Sequence, residues 1–340
     1  MMIVQMKKGS TKKEYEKLVQ FLQAKKLEII DASSDEMRVF GIIGDTSSLD
    51  PSDLYAFEGV KEVTRVSTPF KKASRSFKKS DTLIKLSDDV IIGGDQFVVM
   101  AGPCSVESEE QLRTIAKAVK KSGAHLLRGG AYKPRTSPYA FQGLELEGLK
   151  LLRKIGDELG LKVVTEIPSA DLLPLFEEYV DVIQVGARNM QNFHLLKALG
   201  QAKKPILLKR GLSATIEEWL MSAEYIMAGG NEKVILCERG IRTFEKYTRN
   251  TLDISSVLAV KELSHLPVII DPSHAAGRWN MIEKLSLASL AVGAHGLIVE
   301  VHHDPEHALS DGAQSLKLPK FHHMMEEMDK VSSVLGKTIK

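Results

Sequence analysis

Leu127-Arg128-Gly129-Gly130-Ala131-Tyr132-Lys133-Pro134-Arg135-Thr136 is the stretch from which the rest of the chain is read. It leaves the end of a short apolar strand and presents Arg128, Lys133 and Arg135 in quick succession. Gly129-Gly130 lets the backbone bend tightly and approach a ligand, because glycine tolerates positive φ. Pro134 fixes φ between the last two cations, so neither sits on a slack loop. Aromatic, small and rigid neighbours distinguish this from a solvated charge run. Arginine as a bidentate fork and lysine as a point charge make a device for capturing anions.

A strand that hands such groups to the loop after it sets the question for its neighbours. From Phe97 onward the pattern is strand, helix, strand, helix, with strands starting near Phe97, His125, Lys162, Asp181, Pro205, Lys233, Leu266 and His295. Ser108-x-x-Gln111 caps one helix, with Leu112, Ile115, Ala116 and Val119 on a single face. Thr215-x-x-Glu218 caps another, striped by Ile216, Trp219, Leu220, Ala223 and Met227. Eight strand–helix units over this length predict a (β/α)8 TIM barrel. An open doubly wound sheet is the alternative, but no G-x-G-x-x-G follows a first strand.

Ahead of the barrel, Met2–Met6 is strand-like, and Thr11-Lys12-Lys13-Glu14 is a capping box for a helix carrying Tyr15, Leu18, Val19 and Leu22. Strands at Leu27–Ile30, Met37–Ile43 and Val60–Val66, with a weak helix near Asp50–Phe57, give β-α-β-β-α-β, the ferredoxin-like α+β order. The organisation expected is a ferredoxin-like regulatory or assembly domain over 1–68, a linker over 69–84 and a catalytic barrel over 85–340. Val90–Ile92, Gly93-Gly94-Asp95 and Gln96–Met100 read as a hairpin whose second strand enters the barrel.

The 340 residues are 43% hydrophobic and 26% charged with a net charge of +2, which excludes an electrostatic nucleic-acid binder and makes any positive site local. Cys104 and Cys237 form no C-x-x-C pair or disulfide framework. With no signal-peptide core and no bilayer-length apolar run, the expectation is a cytoplasmic protein with no membrane partner.

In a barrel, functional groups gather at strand C-termini. Those ends read Gly102-Pro103-Cys104, Arg128, Thr165-Glu166, Gly186-Ala187-Arg188-Asn189, Lys209-Arg210-Gly211, Cys237-Glu238-Arg239-Gly240, Asp271-Pro272-Ser273-His274 and Glu300, with Asp311 in the loop beyond. Arg128, Lys133, Arg135, Arg188, Lys209 and Arg239 would converge at one mouth, where a multiply anionic ligand offsets their mutual cost. Cys104, His274, Glu300 and Asp311 form a second constellation, a thiolate, an imidazole and two carboxylates. That donor set suits a divalent transition metal without choosing among Mn, Fe, Co and Zn. The plainer alternative is a buried structural cysteine beside satisfied carboxylates. His302, His303 and His307 are competing ligands, His322 and His323 surface residues, and Cys237 core packing.

The strings GPCSVE (102–107), LRGGAYKPRTSP (127–138), VGARN (185–189), LLKRG (207–211), CERGIRTF (237–244), DPSH (271–274) and GLIVEVH (296–302) occur together here. In these the chain resembles 3-deoxy-D-arabino-heptulosonate 7-phosphate (DAHP) synthases, in the form with an N-terminal ferredoxin-like domain. The resemblance implies a transferase of the shikimate pathway, feeding chorismate and aromatic amino acid biosynthesis. It would condense phosphoenolpyruvate with erythrose 4-phosphate and water, releasing phosphate. Arg128, Lys133, Ala187, Arg188, Lys209 and Arg239 would hold phosphoenolpyruvate, and Arg135 and Thr136 the aldose phosphate. Lys133 would donate a proton to the aldehyde oxygen, and Glu166 would position water. Cys104, His274, Glu300 and Asp311 would ligate the metal.

A sibling synthase making 3-deoxy-manno-octulosonate 8-phosphate from arabinose 5-phosphate is the nearest alternative. Its loop is of a K-A-N-R type, whereas this one reads Lys133-Pro134-Arg135-Thr136. A Schiff-base aldolase using Lys209 and a non-catalytic phosphometabolite sensor are rivals from other classes. The architecture further implies a homotetramer and inhibition by Tyr or Phe. In similar proteins a histidine and a hydroxyl on the second strand hold that effector; Glu28-Ile29-Ile30-Asp31-Ala32 has neither at the matching positions.

Overall fold

The computed structural model describes residues 1–33, 38–44, 46, 49–65, 69–133, 137 and 139–339. They divide into two compact units, one of Met1–Ser80 with Leu263–His265, the other of Asp81–Glu262 with Leu266–Lys340.

The first unit holds strands β1 (Met2–Met6), β2 (Glu28–Asp31), β3 (Val39–Ile43) and β4 (Val60–Arg65) and helices α1 (Lys12–Ala24) and α2 (Pro51–Tyr55). The strands form an antiparallel sheet in the order β2-β3-β1-β4, the ferredoxin-like arrangement. Thr11 and Glu14 make both halves of the capping box at the start of α1. Leu18 and Leu22 then bury against Val4, Phe40 and Ile42. Part of the opposite sheet face is covered from within the unit, where Phe77 packs with Met1, Ile3 and Val39.

In the second unit eight parallel strands close into a barrel: β7 (Val98–Gly102), β8 (Leu126–Arg128), β9 (Lys162–Glu166), β10 (Val182–Val185), β11 (Ile206–Lys209), β12 (Val234–Glu238), β13 (Val268–Ile270) and β14 (Gly296–His302). Each begins within two residues of its predicted start. The first and last, β7 and β14, pair over five positions from Val98↔Gly296 to Gly102↔Glu300. By contrast β13 and β14 share one register pair, Ile270↔Leu297. Helices including α3 (Glu109–Lys121), α4 (Ile216–Ala228), α5 (Trp279–Ala291) and α6 (Leu318–Val334) form the outer layer. On α4, Trp219, Leu220, Ala223 and Met227 are buried as their spacing predicts, and Thr215 and Glu218 complete the cap. At α3 only half the expected box forms. Ser108 accepts from Gln111 N–H, while the Gln111 side chain serves the Glu107 N–H and Ser105 carbonyl.

The hairpin before the barrel differs from expectation. It joins β5 (Ile84–Ser87) to β6 (Val90–Ile92), and the turn falls at Asp88-Asp89 rather than after Ile92. Ile84, Val90 and Ile92 bury with Val98, Met100, Leu126, Val164, Leu207 and Ile298, filling one end of the barrel interior. Apolar burial wins over turn propensity at Gly93-Gly94 because the barrel needs a stopper at that end. The opposite end, where the strands terminate, stays open for ligands.

Candidate active site

The loops after β7 and β8 continue to pair beyond the strands, through Val106 N–H to the Gly130 carbonyl (3.0 Å) and Gly130 N–H to the Cys104 carbonyl (3.1 Å). A Cβ at Gly130 would stand 2.7 Å from Lys133 Cδ and 2.8 Å from the Cys104 oxygen. Its bareness lets the Lys133 side chain fold back, so that Nζ donates to the Cys104 carbonyl (3.2 Å) and Sγ (3.1 Å). The Cys104 thiol faces Ser310 Oγ at 3.4 Å and Asp311 Oδ2 at 3.5 Å. Burial, reinforced by Glu300, pushes this thiol up to about 12.

Cys104, Glu300 and Asp311 bring one donor atom each to within 4.8 Å of one another, the one such cluster of three or more among the described residues. His274 stands at its edge, with Nε2 3.5 Å from Glu300 Oε1. The other imidazole nitrogen, Nδ1, lies 2.7 Å from Asp271 Oδ2, leaving Nε2 for a ligand. Burial lowers His274, and it would raise Glu300, but His274, Arg128 and Lys133 outweigh it and hold the Glu300 carboxyl at about 2. A soft sulfur, an imidazole nitrogen and two carboxylates so arranged fit a divalent transition metal. Of the competing histidines, His302 accepts from Asp304 N–H through Nδ1 at 3.0 Å, His303 stacks on its ring, and His307 Nδ1 meets Asp304 Oδ2 at 2.7 Å. His322 and His323 are about half exposed, and Cys237 is fully buried.

Beside the cluster opens a cavity of about 530 Å³ whose walls carry the basic side chains Arg128, Lys133, Arg188, Lys209, Arg239, Arg242 and Arg249. Glu166, Ala187 and His274 also line it. Arg135 and Thr136 lie outside the described residues. Sequence reading missed Arg242 and Arg249, which sit in the long segment after β12 where no periodicity marks a site. It named the acids at the strand ends but not their partners. Arg128 Nη1 donates to Glu300 Oε1 (3.0 Å) and the Pro103 carbonyl (2.7 Å). Lys209 pairs with Asp271, and Glu238 pairs with Arg210 rather than with any cavity cation. Glu166 Oε2 accepts from Gln184 Nε2 at 2.9 Å. The Nε of Arg128 is buried with no hydrogen-bond partner among the described residues. Burial holds Arg239 below its ordinary value. Such a wall is at its most favourable with a polyanion in place.

Residues 78–335 match the DAHP synthetase I family, and residues 2–68 match the DAHP synthase ferredoxin-like domain. A phospho-2-dehydro-3-deoxyheptonate aldolase of Thermotoga maritima is 51% identical over 335 residues, 98% of this chain and 99% of that protein. The crystal structure of a Thermotoga maritima DAHP synthase superposes with a TM-score of 0.79, covering 99% of this chain and 98% of that one. A 2-dehydro-3-deoxyphosphooctonate aldolase of Geobacter sulfurreducens is more distant, 32% identical over 266 residues, 72% of this chain and 96% of that protein.

Proposed function

The chain belongs to the DAHP synthetase I family, and from that premise we propose that it condenses phosphoenolpyruvate with erythrose 4-phosphate and water to give DAHP and phosphate. The carrying observation is the meeting of a Cys–Glu–Asp cluster with a cavity walled by cations.

Arg128, Lys133, Arg188, Lys209 and Arg239, with Ala187, hold phosphoenolpyruvate by its phosphate and carboxylate, which fixes C3 against the aldehyde carbon. Arg135 and Thr136 take the phosphate of the aldose. As C3 attacks, Lys133 gives its proton to the aldehyde oxygen, which becomes a hydroxyl. Positive charge develops at C2, and water adds there under the guidance of Glu166, one of its protons restoring Lys133 and the other leaving with the phosphate. The C2–O bond to phosphate then breaks, with phosphate leaving among the arginines. Cys104, His274, Glu300 and Asp311 would hold a divalent ion, and that ion, when bound, supplies Lewis-acid polarisation of the aldehyde. Mn, Fe, Co and Zn are all compatible with these donors.

We assign residues 1–68 to regulation or assembly, 69–84 to a linker and 85–340 to catalysis. A homotetramer whose small domains respond to Tyr or Phe completes the proposal. No helix among the described residues is long and apolar enough to cross a membrane. The test is phosphate release with erythrose 4-phosphate and with arabinose 5-phosphate, each before and after exhaustive chelation and after restoring Mn or Co. Turnover confined to the tetrose phosphate and dependent on metal is expected. Preference for the pentose phosphate would make the chain an octulosonate synthase; undiminished turnover of metal-free protein would remove the metal from the mechanism.

A further inference from the structure

One residue bonds to both Glu300 and Asp311 of the Cys104–Glu300–Asp311 cluster without belonging to it, the first through its carboxylate and the second through its main-chain carbonyl. Gln314 is buried, 2% exposed, in the short turn Gly312–Gln314 that follows Asp311. Its backbone N–H donates to the Asp311 carbonyl at 3.2 Å. Its side-chain Nε2 donates to Glu300 Oε2 at 2.7 Å, and its Oε1 accepts from Arg249 Nη1 at 2.8 Å. The same Arg249 nitrogen lies 3.4 Å from Asp311 Oδ1.

An amide engaged at both ends in this way has one orientation. Flipped, it would set its oxygen against a carboxylate and its NH2 against a guanidinium. With Oε2 taken by Gln314, Glu300 keeps Oε1 for Arg128 and for the position facing His274. Among the described residues Asp311 is one of three non-glycine residues at positive φ, 50°, a left-handed conformation that local hydrogen bonds help to hold. The Gln314 N–H and Ser315 Oγ, both on the Asp311 carbonyl, are what hold that turn.

We propose that Gln314 is a positioning residue: it sets the aim and separation of Glu300 and Asp311 and ties both, through Arg249, to the wall of the anion cavity. The inference rests on the metal reading of the cluster. Outer partners of metal ligands typically govern affinity by 10–100-fold. A residue that merely filled this space would be replaced without effect by a side chain of the same length. Gln314→Met provides that replacement, removing donor and acceptor together. Gln314→Glu keeps an acceptor for Arg249 and sets a like charge against Glu300.

The test is an optical titration of the metal-stripped full-length protein with Co2+, read by thiolate-to-cobalt absorption and the ligand-field bands, with Cys104→Ser as the control for thiolate ligation. Both Gln314 variants should raise the cobalt dissociation constant by about 10–100-fold and shift the ligand-field bands. The circular dichroism of the metal-free protein should stay that of the parent. Unchanged cobalt affinity and spectrum in the folded variants would overturn the proposal. So would a fall in thermal midpoint with metal affinity intact, which marks a packing role; if Gln314→Met does not fold, Gln314→Glu decides. Absence of a cobalt–thiolate band in the parent protein would instead bring down the metal reading, and this inference with it.

Discussion

Lys209 Nζ lies 2.6 Å from Asp271 Oδ2 past the intervening strand β12, with the side chains 5% and 1% exposed and the residues 62 positions apart in sequence. Burial would raise Asp271, but His274 and Lys209 outweigh it and hold the carboxyl well below the usual carboxylate range. The one carboxylate therefore serves a proposed substrate cation and a proposed metal ligand. Asp271→Ala leaves a buried ammonium uncompensated and should cost about 3–5 kcal/mol of stability in urea unfolding. Lys209→Met combined with Asp271→Leu should recover most of that loss while remaining inactive. A double variant no more stable than Asp271→Ala would show that the pair is not the source of the cost.

Division of labour between the two phosphate sites is testable at Arg135. Arg135→Ala removes a charge-assisted fork proposed for the aldose phosphate, so about 2–4 kcal/mol of binding to that substrate should be lost. Phosphoenolpyruvate affinity should stay close to that of the parent. Equal loss for both substrates in steady-state kinetics would refute the assignment.

Acid should loosen the barrel at the end away from the site. His125 Nδ1 accepts from Val99 N–H and His295 Nδ1 from Val268 N–H, each at 3.1 Å, so both rings need an unprotonated nitrogen there. Burial, with Lys120 beside one and Lys261 and Lys337 beside the other, lowers both to about 4 from an ordinary 6.5. The unfolded chain thus takes up protons first as pH falls. Stability is complete above pH 6.5 and declines toward pH 4, by roughly 3 kcal/mol for each ring. Urea midpoints should fall across that window. A His125→Gln and His295→Gln double variant should flatten the slope; an unchanged slope would place its origin elsewhere.

Removal of residues 1–70 should leave the barrel chemistry in place and abolish any response to Tyr or Phe that the intact protein shows. Activity and metal content of the shortened chain, measured together, decide this. Joint loss of both would make the small unit part of the catalytic fold.

Much of this was legible in the sequence because buried parallel strands are apolar throughout and end abruptly on a polar residue. Ile206-Leu207-Leu208 running straight into Lys209-Arg210 shows the pattern, and each strand start was found to within two residues. Pairing was not legible. Nothing local announces that Lys209 meets Asp271, that Glu238 belongs to Arg210, or that Gln314 reaches Glu300. Arg242 and Arg249 escaped because their segment carries no period, and the β5–β6 stopper because its apolar residues are too few to mark a hairpin.

The closure of β14 onto β7 has a consequence in time. Cys104 and Asp311 stand 207 residues apart. At the pace of protein synthesis, about 5–20 residues per second, the sulfur leaves the ribosome roughly 10–40 s before its carboxylate neighbour exists. Through that interval the thiol has neither Glu300 nor Asp311 beside it, and no early fragment of the chain can reproduce the set. The site joins the barrel's first strand to its last, and it is complete only once that last strand and the loop beyond it have been made.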